Sequence, residues 1–181
     1  MQTKTSPVSR YSTPSVVMHW LMLLAFIGLY AAINLTDVFP KGSDGRQLLK
    51  NAHFSLGLLV FALVWLRIVF RLMGTTPAIV PEPPAWQEKL AKLGHLALYV
   101  LMVVMPLIGW AALSARGKPI PFFGLDLPAL MGENRELGST LKEIHELGGN
   151  IGYFLIGGHA AAALYHHYFM KDTTLLRMKL G

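Results

Sequence analysis

The chain has 181 residues, 53% of them apolar and only 14% charged, with a mean hydropathy of +0.44. Soluble domains carry about 25% charged residues, so the composition excludes one, and the length leaves no room for a soluble catalytic domain beside a membrane part. The net charge of +6 does not indicate nucleic acid, because the basic residues stand singly between oily runs instead of forming a patch, and the absence of cysteine excludes disulfides, thiolate metal sites, iron–sulfur clusters and covalently attached c-type haem.

In chain order, the first oily stretch runs over residues 16–35 without a charge. At about 1.5 Å per residue it reaches about 30 Å, the thickness of a bilayer's hydrocarbon core. A cleaved signal peptide has an apolar region of about 7–15 residues, and His19 near the start suits a helix that keeps a ligand, so an uncleaved first span is expected. Pro40, Gly42, Ser43, Asp44 and Gly45 form the first connector. A second span is predicted over 48–72, followed by a stiff stretch from Gly74 through Pro77, Pro81, Pro83 and Pro84. The third span covers 90–113 and contains Pro106, which is tolerable where neighbouring helices satisfy the freed carbonyl. The longest connector, 114–140, is expected to hold a short surface helix between Gly117, Pro119, Pro121 and Pro128. The fourth span covers 141–169. The fold class is therefore all-α, a four-helix membrane bundle forming a single domain over 1–181.

Lys and Arg set the orientation. Lys4, Arg10, Arg67, Arg71, Lys89, Lys92, Lys171, Arg177 and Lys179 fall on the side of the termini, nine against seven on the other side (Lys41, Arg46, Lys50, Arg116, Lys118, Arg135 and Lys142). Both termini are expected in the cytoplasm.

The seven histidines carry the chemistry, since an ionisable side chain inside a span usually has a function. His145 and His159 are fourteen residues apart, about 40° short of four full turns, so they share one face at heights about 21 Å apart. That fits two stacked sites and is too far for one shared metal. His53 lies at the level of His145, and His19 at the level of His159. Gly149 and Gly152 strip bulk from the face between the fourth-span pair, with Gly148, Gly157 and Gly158 alongside. Small residues permit close helix packing in lipid; beside paired histidines they also give a flat macrocycle a shallow surface. Structural zinc wants four ligands and catalytic zinc three, whereas two axial imidazoles complete a haem iron and leave no open position, which suits electron transfer. Arg67 is fourteen residues from His53 and faces the level of His159. It is either a partner for a haem propionate or a snorkelling anchor, the reading preferred for Arg71.

The segments Met18-His19-Trp20, His53-Phe-Ser-Leu-Gly57, Arg67-Ile-Val-Phe-Arg71, Leu93-Gly94-His95-Leu96, His145-Glu146 and the run from Gly152 through His159 to Tyr168, with Lys171-Asp172 and Leu176-Arg177-Met178 after it, resemble the bacterial di-haem cytochrome b561 proteins of the inner membrane. The resemblance covers the chain from Arg10 onward. It implies a four-helix bundle with two haem b groups, held by His19 with His159 on the cytoplasmic side and by His53 with His145 on the periplasmic side. His95 is the rival to His19 as ligand. Similarity to the superoxide-oxidising members implies superoxide as periplasmic electron donor and ubiquinone as acceptor. Arg46, Lys50, Arg116, Lys118 and Lys142 are candidates to steer superoxide, or ordinary solvated charges, since the outer side sums to zero. His166, His95 and Trp86 are candidates for a quinone site, or ordinary interfacial residues. No catalytic side chain is assigned. A second reading makes the chain a haem b subunit or membrane anchor serving a partner dehydrogenase or hydrogenase; a third, a histidine-containing transporter without haem.

Overall fold

A computed structural model describes residues 9–180; Lys4, counted above for orientation, lies outside them. Four long helices dominate: α1 (Thr13–Asn34), α2 (Asp44–Met73), α3 (Ala85–Ala115) and α4 (Arg135–Tyr165). Local chemistry sets their starts. Pro14 opens the first turn of α1, where its missing N–H costs nothing. The Ser43 hydroxyl accepts from Arg46 N to cap α2, and the Asn134 side chain accepts from Leu137 N to cap α4. α3 begins directly after Pro83 and Pro84.

α1 packs on α2, and α3 on α4, as two helical hairpins that meet chiefly along α2 and α3. Met22, Ala25 and Leu29 of α1, Val60 and Val64 of α2 and Met102 of α3 make the buried core. The outer surface is apolar as well: Leu24 is 65% and Phe154 82% exposed, the pattern of a bundle whose surroundings are lipid. Three stretches are long and apolar enough to cross a membrane, Thr13–Val38, Asp44–Met73 and Ala85–Ala115. α4 has the 31 residues of α3 with a less apolar sequence, because glycines, Asn150 and two histidines occupy it. It nevertheless runs the height of the bundle, meeting α2 at one end and α1 at the other.

The connector between α3 and α4 differs from expectation. In place of a surface helix it holds a two-stranded antiparallel hairpin, β1 (Pro121–Phe122) and β2 (Leu125–Asp126). Its turn residues Phe123 and Gly124 both have positive φ, 48° and 90°, the backbone of a tight two-residue hairpin loop. Pro119 and Pro121 disfavour a helix here. Buried Ser55 of α2 pins the hairpin, donating to Pro121 O and accepting from Phe123 N.

The first and last described stretches of the chain meet at the opposite end of the bundle. Tyr11 N donates to Arg177 O at 3.1 Å, and the Trp20 indole donates to Met178 O at 3.0 Å. These contacts define a terminal end and a hairpin end.

Candidate functional site

At the hairpin end, His53 of α2 and His145 of α4 face each other with ring centroids 6.1 Å apart and planes at 88°. Each ring is fixed through Nδ1. His53 Nδ1 lies 2.9 Å from Leu29 O of α1, and His145 Nδ1 lies 3.1 Å from Met105 O of α3. A carbonyl oxygen can only accept, so both Nδ1 atoms carry the hydrogen and both Nε2 atoms are left with a free lone pair. All four helices thus contribute to this one pair.

At the terminal end, His19 of α1 and His159 of α4 stand 6.2 Å apart with planes at 77°. His95 of α3 approaches the same His159 ring to 5.4 Å, so three imidazoles gather here. The Arg67 guanidinium of α2 acts electrostatically on all three.

These spacings can be tested against an axial ligand pair. An imidazole nitrogen binds a metal at about 2.0–2.1 Å and lies about 1.1 Å from its ring centre, so two axial imidazoles on one metal place their centroids about 6.2 Å apart. His53/His145 and His19/His159 match; His95/His159 is too short. A sequence model of the prokaryotic cytochrome b561 family matches residues 10–181. The chain belongs to that family.

Its relatives agree. Cytochrome b561 homolog 1 of Escherichia coli is 42% identical over 171 residues, 94% of this chain and 97% of that protein. A probable superoxide oxidase of Yersinia pestis is 41% identical over 169 residues, 93% of this chain and 95% of its own length. Cytochrome b561 homolog 2 of Escherichia coli is 30% identical over 176 residues, 96% of this chain and 93% of its own. Membership implies haem b, and the residues of this cytochrome fit it: two imidazole pairs at ligand spacing and, at the hairpin end, free Nε2 atoms with an apolar gap beside them.

That gap is a cavity of about 650 Å³ in this b561-family bundle, lined by His53, His145, Gly57, Gly149, Tyr30, Tyr153, Trp110 and others. A Cβ built on Gly57 or Gly149 would meet no protein atom within 4 Å, so these glycines open onto the cavity. Gly152 differs. The Tyr30 hydroxyl occupies the space its side chain would need, while donating to Gly149 O at 2.9 Å. Of the two glycines expected to clear the fourth-span face, Gly149 does so and Gly152 seats a tyrosine.

Four of the five steering candidates, Lys50, Arg116, Lys118 and Lys142, line the cavity. Lys142 is paired with Glu146. Burial, and the charges of Arg116, Lys50 and Lys142 beside it, push the Lys118 ammonium below its ordinary range. Arg46 turns elsewhere: it bonds Asp37 at 2.9 Å and donates to Thr36 O and Phe39 O, closing the α1–α2 connector. Of the quinone candidates, His95 lies in the terminal-end cluster, His166 follows directly after α4 with Nδ1 2.5 Å from Asp172, and Trp86 stands exposed on the first turn of α3.

Some contributing residues carry no sequence signal of their own. Leu29 and Met105 act through backbone carbonyls. A Cβ on Gly109 would lie 3.0 Å from the His145 ring, so this glycine makes room for the imidazole. Its only cue was being a glycine inside the third span.

Proposed function

We propose that this cytochrome is a di-haem b membrane oxidoreductase, one domain over its whole length, that oxidises superoxide at the hairpin end and reduces ubiquinone at the terminal end. The observation that carries the reading is the pair of imidazole couples, 6.1 and 6.2 Å across, separated by fourteen residues of α4, or about 21 Å of helix rise. His53 with His145 would hold one haem, and His19 with His159 the other; when bound, haem b supplies the one-electron chemistry at each level. The terminal end faces the cytoplasm of a bacterium and the hairpin end the periplasm, as the distribution of Lys and Arg favours.

The chain's own residues then have separate tasks. Leu29 O and Met105 O lock the hairpin-end rings with Nε2 towards the gap. Lys50, Arg116 and Lys118 set a positive potential at the cavity, which concentrates a small anion. Arg67 places a cation beside the terminal-end rings and would hold a propionate there. His95, His166 and Trp86 mark the end where quinone would be reduced. Overall, two superoxide anions, one ubiquinone and two protons give two dioxygen molecules and one ubiquinol. The printed name of the Yersinia pestis relative, a probable superoxide oxidase, supports the choice of donor.

The test is direct. Purified protein is given superoxide, with and without a short-chain ubiquinone. Reduction of both haems, followed by reoxidation on adding quinone, is the expected result. Haems that reduce with a hydrogenase or dehydrogenase partner but not with superoxide would turn the reading to an electron-carrying subunit; a colourless preparation would turn it to a transporter.

A further inference from the structure

Quinone reduction consumes two protons, and a side chain positioned beside the acceptor can deliver them. Of the seven histidines, His166 is the one whose ring meets a carboxylate among the described residues. The backbone goes to some length to arrange this. After Tyr165 the regular helix gives way to a π-helical turn, His166–Met170. Lys171, a residue with a Cβ, then adopts φ +53°, a conformation that non-glycine residues rarely take and that clusters at functional sites. The reversal returns Asp172 to His166, with Oδ2 2.5 Å from Nδ1. Asp172 is only 3% exposed, and a carboxylate is costly to bury unless it is paired.

The segment after it is tied down. Thr174 N donates to Asp172 Oδ1 at 2.8 Å. Thr173 and Val80 exchange two bonds of 3.0 Å, Thr173 N to Val80 O and Val80 N to Thr173 Oγ1. The Arg177 side chain donates to Pro77 O. This strap holds Asp172 against the connector between α2 and α3.

We propose that Asp172 is a positioning residue that holds His166 as the proton donor for quinone reduction. The inference rests on the reading that quinone is reduced at the terminal end. Hydrogen bonded through Nδ1 to Asp172, the imidazole is held in one orientation with Nε2 presented to an acceptor. The Nε2–H bond breaks as an O–H bond forms on the quinone, whose electrons derive from superoxide; His166 then regains a proton from water on that side. Burial alone would raise the Asp172 carboxyl, but the hydrogen bonds from His166 and Thr174 outweigh it and hold the group below its usual range. Tyr165 of α4 packs against the His166 ring, and His167 and Lys171 flank the pair in the chain; elsewhere at this end Arg67, Arg71 and Arg177 act on His95 of α3, and Arg71 and Arg177 lie over the Tyr11 ring. Among the described residues, His166 is the side chain whose ring contacts the Asp172 carboxylate.

Full-length protein carrying Asp172→Asn, Asp172→Glu or His166→Gln is loaded with haem and compared with the parent. Asp172→Asn keeps an acceptor for Thr174 N, so it tests charge with little change of shape. Haem reduction by superoxide alone should match the parent. For quinone reduction, kcat should fall about tenfold with KM little changed, and the pH profile of kcat should differ from the parent's. Asp172→Glu should restore most of the rate. Superimposable pH profiles for Asp172→Asn and the parent, with His166→Gln impaired, would overturn the role of Asp172 and leave the quinone site standing. His166→Gln with unchanged kcat and KM would remove the histidine from the quinone site, and the proposal with it. Should Asp172→Asn lose haem, Asp172→Glu decides: near-parental rates support the proposal, whereas a lost rate in a folded, fully loaded Asp172→Glu variant with a parental pH profile overturns it.

Discussion

The two ends of the bundle present imidazole pairs at the same spacing and build them differently. At the hairpin end, each imidazole is anchored by a backbone carbonyl from a neighbouring helix, Leu29 O for His53 and Met105 O for His145. The pair opens on a cavity rimmed by basic side chains. At the terminal end, His19 and His159 have no such ring hydrogen bond among the described residues. Instead a third imidazole, His95, and the Arg67 guanidinium crowd the pair, and the C-terminal strap closes over that end. Rings held by carbonyls are fixed before a cofactor arrives; rings held by packing and charge depend more on the cofactor itself. The difference teaches that one helix, α4, can serve two sites of unlike character because its fourteen-residue interval repeats the face while the neighbours change.

The most severe way to break the comparison is to remove one ligand from each end. His145→Ala should lose the hairpin-end haem and His159→Ala the terminal-end haem, each leaving about half of the b-type absorbance. Two full haems in either variant would refute the pairing. His95→Ala should retain both, since its 5.4 Å approach to His159 is too short for an axial partner.

Next in size are the glycines. Gly109→Ala would place a methyl group 3.0 Å from the His145 ring and strain its bond to Met105 O. The expected outcome is a loss of hairpin-end haem affinity of about tenfold or more, read by titrating haem into the apoprotein. Gly149→Ala meets no protein atom and projects into the cavity, so it should weaken the same haem only if that group fills the gap. Unchanged haem affinity in Gly149→Ala would separate the cavity from the haem.

How much of this was legible in the sequence follows from the same contrast. Lipid forces helices to satisfy their own backbone, so His19, His53, His145 and His159 stand out in apolar runs and the helical period sorts them by face and height. The carbonyl anchors were invisible, because Leu29 and Met105 act through groups that every residue has. The hairpin in the third connector was missed because Phe123 takes a positive φ that only its glycine neighbour advertises. Asp172 reaches His166 only through a π-helical turn and a left-handed Lys171, neither of which has a reliable local signature. Hydropathy also underrates α4, since the polar and small residues that make it useful lower its score.

A smaller effect is expected from the cations of the hairpin end. Lys118→Ala should slow superoxide-driven haem reduction several-fold at low salt, with a weaker dependence on ionic strength than in the parent, while haem content stays unchanged. The sign with pH is set by the lowered Lys118 ammonium, which on alkalinisation loses its charge earlier than an ordinary lysine. The steered rate should therefore decline early as pH rises. Lys50→Ala removes a charge that depresses Lys118, so that decline should move to higher pH; stopped-flow traces at several ionic strengths measure both.

The smallest effect on rate is expected at Arg46, and it sharpens the comparison by showing which basic residues do not belong to the site. Its guanidinium is committed to Asp37, to Thr36 O at 2.8 Å and to Phe39 O at 3.2 Å, so it offers little free charge to an approaching anion. Asp37 is 86% exposed, which makes that pair weak; the bonds to the two carbonyls matter more, at about 1 kcal/mol each. Arg46→Ala should lower the thermal midpoint by a few degrees through a loosened α1–α2 connector, while leaving superoxide kinetics and their salt dependence near the parent's. A loss of rate as large as that of Lys118→Ala would return Arg46 to the steering set and show that proximity to the cavity rim is not what selects the cations that act.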